Sequence, residues 1–183
     1  MRIVLEGVDG AGRTTLAKIL ADKYGLDICH CTQHDAADFG FYSQTLRKEN
    51  VVWDRHTVGE LIYPKIFDRK MQMSPEDARL VTWYGREVDV RFFVLTADMD
   101  VIYSRLNERG NEDTRIYENI SYIDHMFKFY AKNFYIPIID TTKMTLQEIF
   151  NLIETPQVNK GGFIHGKDKT DLQQNTVNTS AGI

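Results

Sequence analysis

Five short apolar runs, separated by longer amphipathic stretches, constrain this chain more than any other feature. They are Arg2–Glu6, Ile28–Cys31, Val51–Asp54, Arg91–Leu95 and Ile136–Asp140. Runs of that length read as strands, and Arg91–Leu95 as one buried on both faces if central. The stretches between them read as helices. Arg13–Tyr24 carries Leu16, Ile19, Leu20 and Lys23 three or four apart. Ala36–Lys48, Val58–Phe67 (which Pro64 can kink), Met99–Arg109 and Asn119–Asn133 follow the same logic. Ser74-Pro75-Glu76-Asp77 starts a helix that runs to about Gly85, and Thr145-Leu146-Gln147-Glu148 is a capping box opening the last one. Strands alternating with helices predict an α/β fold, a parallel sheet with helices on both faces. Ligands of such sheets bind beyond the carboxyl ends of the strands, so functional residues should follow each strand.

The alternation stops near Glu154. Residues 1–154 read as one domain and residues 155–183, rich in Thr, Asn, Gln, Gly and Lys, as a flexible polar tail; a partner-binding peptide around Phe163-Ile164-His165 is the alternative. The 183 residues are 43% hydrophobic and 26% charged, which excludes collagen-like and disordered classes. No run nears the roughly 20 apolar residues of a membrane span, and the start meets Glu6 and Asp9 too early for a signal peptide. The two cysteines, Cys29 and Cys31, are two apart, which fits a reduced, cytoplasmic setting better than a structural bridge. A net charge of -4 disfavours binding to a nucleic-acid backbone.

After the first run comes Gly7-Val8-Asp9-Gly10-Ala11-Gly12-Arg13-Thr14, then Thr15. Strand, glycines and helix in this order make a phosphate-binding loop. Glycines let the backbone turn tightly and aim N–H groups inward, and the helix N-terminus adds partial positive charge. Gly7, Asp9, Gly10, Ala11, Gly12, Arg13, Thr14 and Thr15 are therefore the nucleotide-binding candidates, with ATP as the expected donor. The Thr14 hydroxyl is a magnesium ligand candidate. Arg13 stands where the motif has lysine, and two readings stay open: it does the lysine's work with altered geometry, or the site binds nucleotide and transfers phosphate poorly.

Val51-Val52-Trp53 runs into Asp54-Arg55-His56. The aspartate can accept from a metal-bound water or an acceptor hydroxyl, and the arginine can clamp a phosphate. At these two motifs the chain resembles the thymidylate kinase family, within the P-loop nucleoside and nucleoside-monophosphate kinases. Leu5 to Leu16 resembles that family's opening motif, lysine apart. Asp54, Arg55 and Tyr63 match its Asp-Arg-Tyr and Ala-Tyr segment, while His56 stands for its tyrosine and Gly59 for its usual serine. The form with Gly59-Glu60-Leu61-Ile62-Tyr63-Pro64 is most similar to small phage-type proteins of the family. The resemblance implies a three-layer P-loop kinase fold on a five-stranded parallel sheet. It implies transfer of the terminal phosphate of ATP, with Mg2+, to a deoxynucleoside monophosphate, thymidylate or a 5-modified pyrimidine. It implies that Asp9 and Asp54 lie near acceptor and metal, that Arg55 touches the acceptor phosphate, and that Tyr63 lies against the sugar and favours deoxyribose. It also implies homodimerisation, and a host cytoplasm if phage-encoded. A deoxynucleoside or hydroxyl-bearing base as acceptor, and a non-catalytic nucleotide-binding protein, stay open as alternatives.

Arg105, Arg109 and Arg115 surround a polar loop, and near 105–118 a closing lid is expected to bring them onto the migrating phosphate. Arg13, Asp54, Arg55, Arg109 and Arg115 are the catalytic candidates, with Arg105 on the nucleotide. Glu108, Glu112 and Asp113 can hold such a lid open through ion pairs. His34, Asp35 and Asp38 should edge the acceptor pocket, and Phe39, Phe41 or Tyr42 could stack on a base or pack in the core; Asp9, Asp35, Asp38, Phe39, Tyr42, Arg55, Glu60 and Tyr63 form the acceptor set. Cys29-His30-Cys31 alternate across a strand, which argues against a metal cluster with His34. Tyr122, Met126, Phe129 and Tyr130 have the spacing of a packed helical face.

Overall fold

In a computed structural model, which describes residues 1–31, 38–110 and 113–157, twelve elements alternate as the apolar runs require. They are β1 (Arg2–Gly7), α1 (Arg13–Tyr24), β2 (Asp27–His30), α2 (Phe39–Thr45), β3 (Val51–Asp54), α3 (Thr57–Ile66), α4 (Pro75–Glu87), β4 (Val90–Thr96), α5 (Met99–Arg109), α6 (Thr114–Asn133), β5 (Ile138–Asp140) and α7 (Leu146–Glu154). The strands form one sheet in the order β2-β3-β1-β4-β5, and every neighbouring pair is parallel.

From β1 the chain crosses outward to β2, and from β3 it crosses the other way to β4. Right-handed crossovers in opposite directions place α1 on one face and α3 and α4 on the other. The switch lies between β1 and β3, so the loops leaving these two strands flank the crevice where such sheets bind ligands. The central strands earn their position by burial: Ile3, Val4, Leu5, Val51, Val52, Phe92, Phe93, Val94 and Leu95 are wholly enclosed.

Several boundaries differ from the sequence reading. α2 begins at Phe39 rather than Ala36, because the Asp38 carboxylate accepts the Phe41 N–H and caps it there. α6 begins five residues before Asn119, since Asp113 caps it and Ile116 already faces the core. Ile120, Ile123 and Phe127 form the packed face, while Tyr122 and Phe129 of the expected aromatic face are exposed and only Tyr130 and Met126 pack inward. Pro64 lies inside α3. Residues 155–157 are attached to the domain: the Gln157 side-chain amide accepts the Phe92 N–H at 3.0 Å and donates to the Phe92 carbonyl at 2.8 Å. The rest of the expected tail, with Phe163, Ile164 and His165, lies outside the described residues. No helix among the described residues is long and apolar enough to cross a membrane.

Candidate active site

The loop between β1 and α1 is shaped by two glycines. Gly7 passes so close to β4 that a Cβ would lie 2.3 Å from the Leu95 carbonyl oxygen. Gly12, at φ 89°, caps α1 without a side chain, and no acid occupies the first turn of that helix. By contrast α4 and α7 are each closed by a capping box. The first amides of α1 thus have no side-chain acceptor, and they border a cavity of about 560 Å³.

That cavity is lined by Asp9, Gly10, Gly12, Arg13, Thr14 and Asp54, together with Arg55 and Arg109. The Arg13 side chain turns inward. Its Nε donates to Asp54 Oδ1 at 2.7 Å, one terminal nitrogen donates to the Gly7 carbonyl, and the other lies 3.5 Å from Asp9 Oδ1. Thr14 Oγ1 donates to the second Asp54 oxygen at 2.6 Å. Asp9 also accepts from the Arg55 guanidinium and, at 2.7 Å, from the Tyr63 hydroxyl. Burial would raise the Asp9 pKa, but the Arg55 and Arg13 charges more than offset it and hold the carboxyl below its usual range. Burial and the neighbouring Asp9 push the Tyr63 hydroxyl up, so it stays a donor. Arg55 adopts φ 77°, an uncommon conformation for a non-glycine residue, and its guanidinium sits 4.8 Å over the Tyr63 ring.

Glu6, at the end of β1, meets a different environment. It accepts the Val58 N–H at 2.7 Å and the Gly59 N–H at 3.3 Å, closing the start of α3. Full burial outweighs these bonds and the Arg13 charge, and pushes its pKa up to about 7. His56 is enclosed beside it, and burial lowers its pKa to about 3.

The expected lid arginines separate. Arg105 donates to the Gly10 carbonyl at 2.9 Å and to Thr141 Oγ1 at 3.2 Å, binding α5 to the loop. Arg109 lines the phosphate cavity and also a second cavity of about 640 Å³, formed with Thr15, Ile19, Thr141, Met144 and Leu146. Arg115 is half exposed, paired to Asp113 at 2.6 Å and stacked 4.8 Å over Phe67, so it does not join the other two. Glu108 accepts from Ser104, and Glu112 lies outside the described residues.

On the acceptor side, Tyr42, Glu60, Tyr63 and Arg55 surround one small void, with His56, Phe67 and Arg69. Glu60 is held by both terminal nitrogens of Arg69, at 2.6 and 3.1 Å. Asp38 is engaged in capping α2, and Phe39 stands exposed on its first turn, so the structure does not bring these two expected acceptor residues to that void. Asp35 and His34 lie outside the described residues. Cys29 accepts from Lys48 Nζ at 3.1 Å, and the described residues contain no cluster suited to hold a metal by protein groups alone. Sequence reasoning missed Thr141, which follows β5 as the strand-end rule would have suggested, and Arg69, for which no local pattern exists.

No family model matches the chain. It is 27% identical over 175 residues to cytidylate kinase 2 of Borreliella afzelii, covering 84% of this chain and 94% of that protein. It is 24% identical over 120 residues to a putative adenylate kinase of Sulfurisphaera tokodaii, covering 66% of this chain and 61% of that one. Among solved structures it superposes on the YorR protein of Bacillus subtilis in complex with phosphorylated GDP with TM-score 0.70 and 23% identity, covering 84% of this chain and 93% of that one. It superposes on deoxyadenosine kinase from M. mycoides with TM-score 0.54 and 17% identity, covering 84% and 96%. The fold is that of the P-loop nucleoside and nucleotide kinases.

Proposed function

We propose that the protein transfers the terminal phosphoryl group of ATP to a pyrimidine deoxynucleoside monophosphate. The observation that carries this reading is the uncapped start of α1, opening on a cavity lined by Arg13, Arg55 and Arg109. Loop amides and the α1 N-terminus would bind the phosphates, and the cavity beyond Arg109 offers room for the donor nucleoside. Thr14 and Asp54 present hard oxygens 2.6 Å apart, a fitting pair for Mg2+, which takes few protein ligands and fills its shell with phosphate and water oxygens. When bound, that ion neutralises charge building on the phosphate oxygens. Arg13 keeps the Asp54 and Asp9 carboxylates compensated, Arg55 turns from Asp9 to the acceptor phosphate, and Arg109 bridges the two cavities. Tyr63, locked to Asp9, stands against the acceptor sugar.

The acceptor base is the finer question. The motif resemblance favours thymidylate, whereas the relatives found are named cytidylate and adenylate kinases, which favours cytidylate or its deoxy form. A deoxynucleoside acceptor is the second reading, favoured by one observation: Asp9 already neutralises Arg55, leaving less net charge for a second phosphate. A panel of monophosphates and nucleosides with terminally labelled ATP tests the proposal. Label should move to a pyrimidine deoxynucleoside monophosphate. Label on nucleosides alone would replace the first reading with the second, and binding without transfer to any acceptor would leave a nucleotide-binding protein.

A further inference from the structure

Helix α3 starts without a cap of its own: the His56 side chain, which precedes it, makes no bond to its first amides. Helices α2, α4, α6 and α7 are each capped by the residue just before them, Asp38, Ser74, Asp113 and Thr145. At α3 the acceptor comes from a distant strand. Glu6 Oε1 accepts the Val58 N–H at 2.7 Å and Glu6 Oε2 accepts the Gly59 N–H at 3.3 Å, across separations of 52 and 53 residues. A hydroxyl or carboxylate at position 56 would close the helix equally well. It would not fix where the helix stands relative to the sheet. A cap on β1 does both, and the next residue after Glu6 is Gly7, where the phosphate loop begins.

Consecutive residues of β1 hold the turn that carries Arg55 at both of its ends. The Leu5 carbonyl accepts the Arg55 N–H at 3.0 Å, and Glu6 takes the amides three and four residues further on. Between these anchors Arg55 adopts φ 77° and His56 leaves the ordinary regions at φ -153° and ψ -125°. Backbone of this kind persists where its surroundings over-determine it. The Arg55 guanidinium, so directed, reaches Asp9 and lies over the Tyr63 ring. Glu6 is itself wholly buried with both oxygens engaged, so it does not touch a substrate.

We propose that Glu6 is a positioning residue of the acceptor site: by tying the start of α3 to β1 it sets the Arg55 guanidinium against the phosphate loop, where the acceptor phosphate is met. This role rests on the proposed acceptor site and adds a residue that acts on it through Arg55.

The test uses the full chain, ATP and the monophosphate that the labelled panel shows to be phosphorylated. Assays are run at about pH 8, above the value of about 7 to which burial pushes Glu6, so that the wild-type group is ionised. Glu6→Gln keeps the shape and one acceptor oxygen, and sets an amide N–H against a backbone N–H. It should raise the acceptor KM at least about fivefold and leave the ATP KM within about twofold. In an Arg55→Ala background the same substitution should change the acceptor KM by less than about twofold, because the group it acts through is gone. Glu6→Asp keeps the charge but is one methylene too short to span both amides; it should give the same pattern, and it serves as the second variant if Glu6→Gln does not fold. An unchanged acceptor KM overturns the inference. So do equal rises in both KM values, or the full loss repeated in the Arg55→Ala background, which are the marks of a merely loosened fold. Failure of both variants to fold assigns Glu6 to the fold alone and overturns it too. If the wild-type protein phosphorylates no monophosphate, the proposed acceptor itself fails and the role of Glu6 falls with it.

Discussion

The two halves of the crevice handle buried polarity in opposite ways. On the phosphate side Asp9 and Asp54 are answered by Arg13, Arg55, Tyr63 and Thr14. On the acceptor side, His56 Nδ1 and Arg69 Nε have no hydrogen-bonding partner, and Glu6 is met by backbone amides and the charge of Arg13. Glu6 and Asp9, three residues apart, illustrate the difference: burial without sufficient positive charge drives one carboxyl up, and paired guanidiniums hold the other down. On the phosphate side the buried charges are thus paired within the protein.

The strongest way to break this contrast is Arg13→Ala, which takes the guanidinium from buried Asp54 and one of two from Asp9. Unfolding in urea should show a loss of about 3–5 kcal/mol, and both ATP binding and transfer should vanish. Arg13→Lys sharpens the same point, because it keeps the charge and loses the fork. Activity comparable to or above wild type is expected if charge alone is required.

Next in size is the pH response of Glu6. It ionises at 4.5 when unperturbed and at about 7 in the folded protein, so the folded state holds its proton over a range where the unfolded state has lost it. Its contribution is complete below pH 4.5 and declines as pH rises through 7, a fall of up to about 3 kcal/mol. Denaturation midpoints followed from pH 4.5 to 8 should show that decline in wild type and a flatter profile in Glu6→Gln. Arg55→Ala should lower turnover by about tenfold or more, about 1.4 kcal/mol in barrier, while calorimetry still detects ATP. Arg105→Ala is the mildest: it frees the Gly10 carbonyl and Thr141, worth about 1 kcal/mol, and should raise the ATP KM severalfold without changing the acceptor KM.

The same contrast decides what could be read from the sequence. The phosphate side is local. Gly7 to Thr15 is contiguous, its spacing follows from the turn it must make, and Asp54-Arg55 sits at the end of an obvious strand. The sheet and its helices were legible because each strand is a short apolar run. The acceptor side draws Tyr42, His56, Glu60 and Arg69 from separate segments, and their meeting depends on how α2 and α3 pack. His56 read only as a departure from a motif, and Arg69 carried no pattern at all. The start of α6 was misread because its cap at Asp113 lies in a polar stretch without apolar period, and its buried face because Ile120, Ile123 and Phe127 have the same three-or-four spacing as Tyr122, Met126, Phe129 and Tyr130.

The claim beneath all of this is that the backbone from Gly7 to Thr15 grips a polyphosphate. Titration calorimetry of the full chain with ATP and with adenosine, both in the presence of magnesium, tests it most directly. ATP should bind with one site per chain and far more tightly than adenosine, because the phosphates carry the interaction. Equal affinity for the two, or no heat with ATP, would contradict the account.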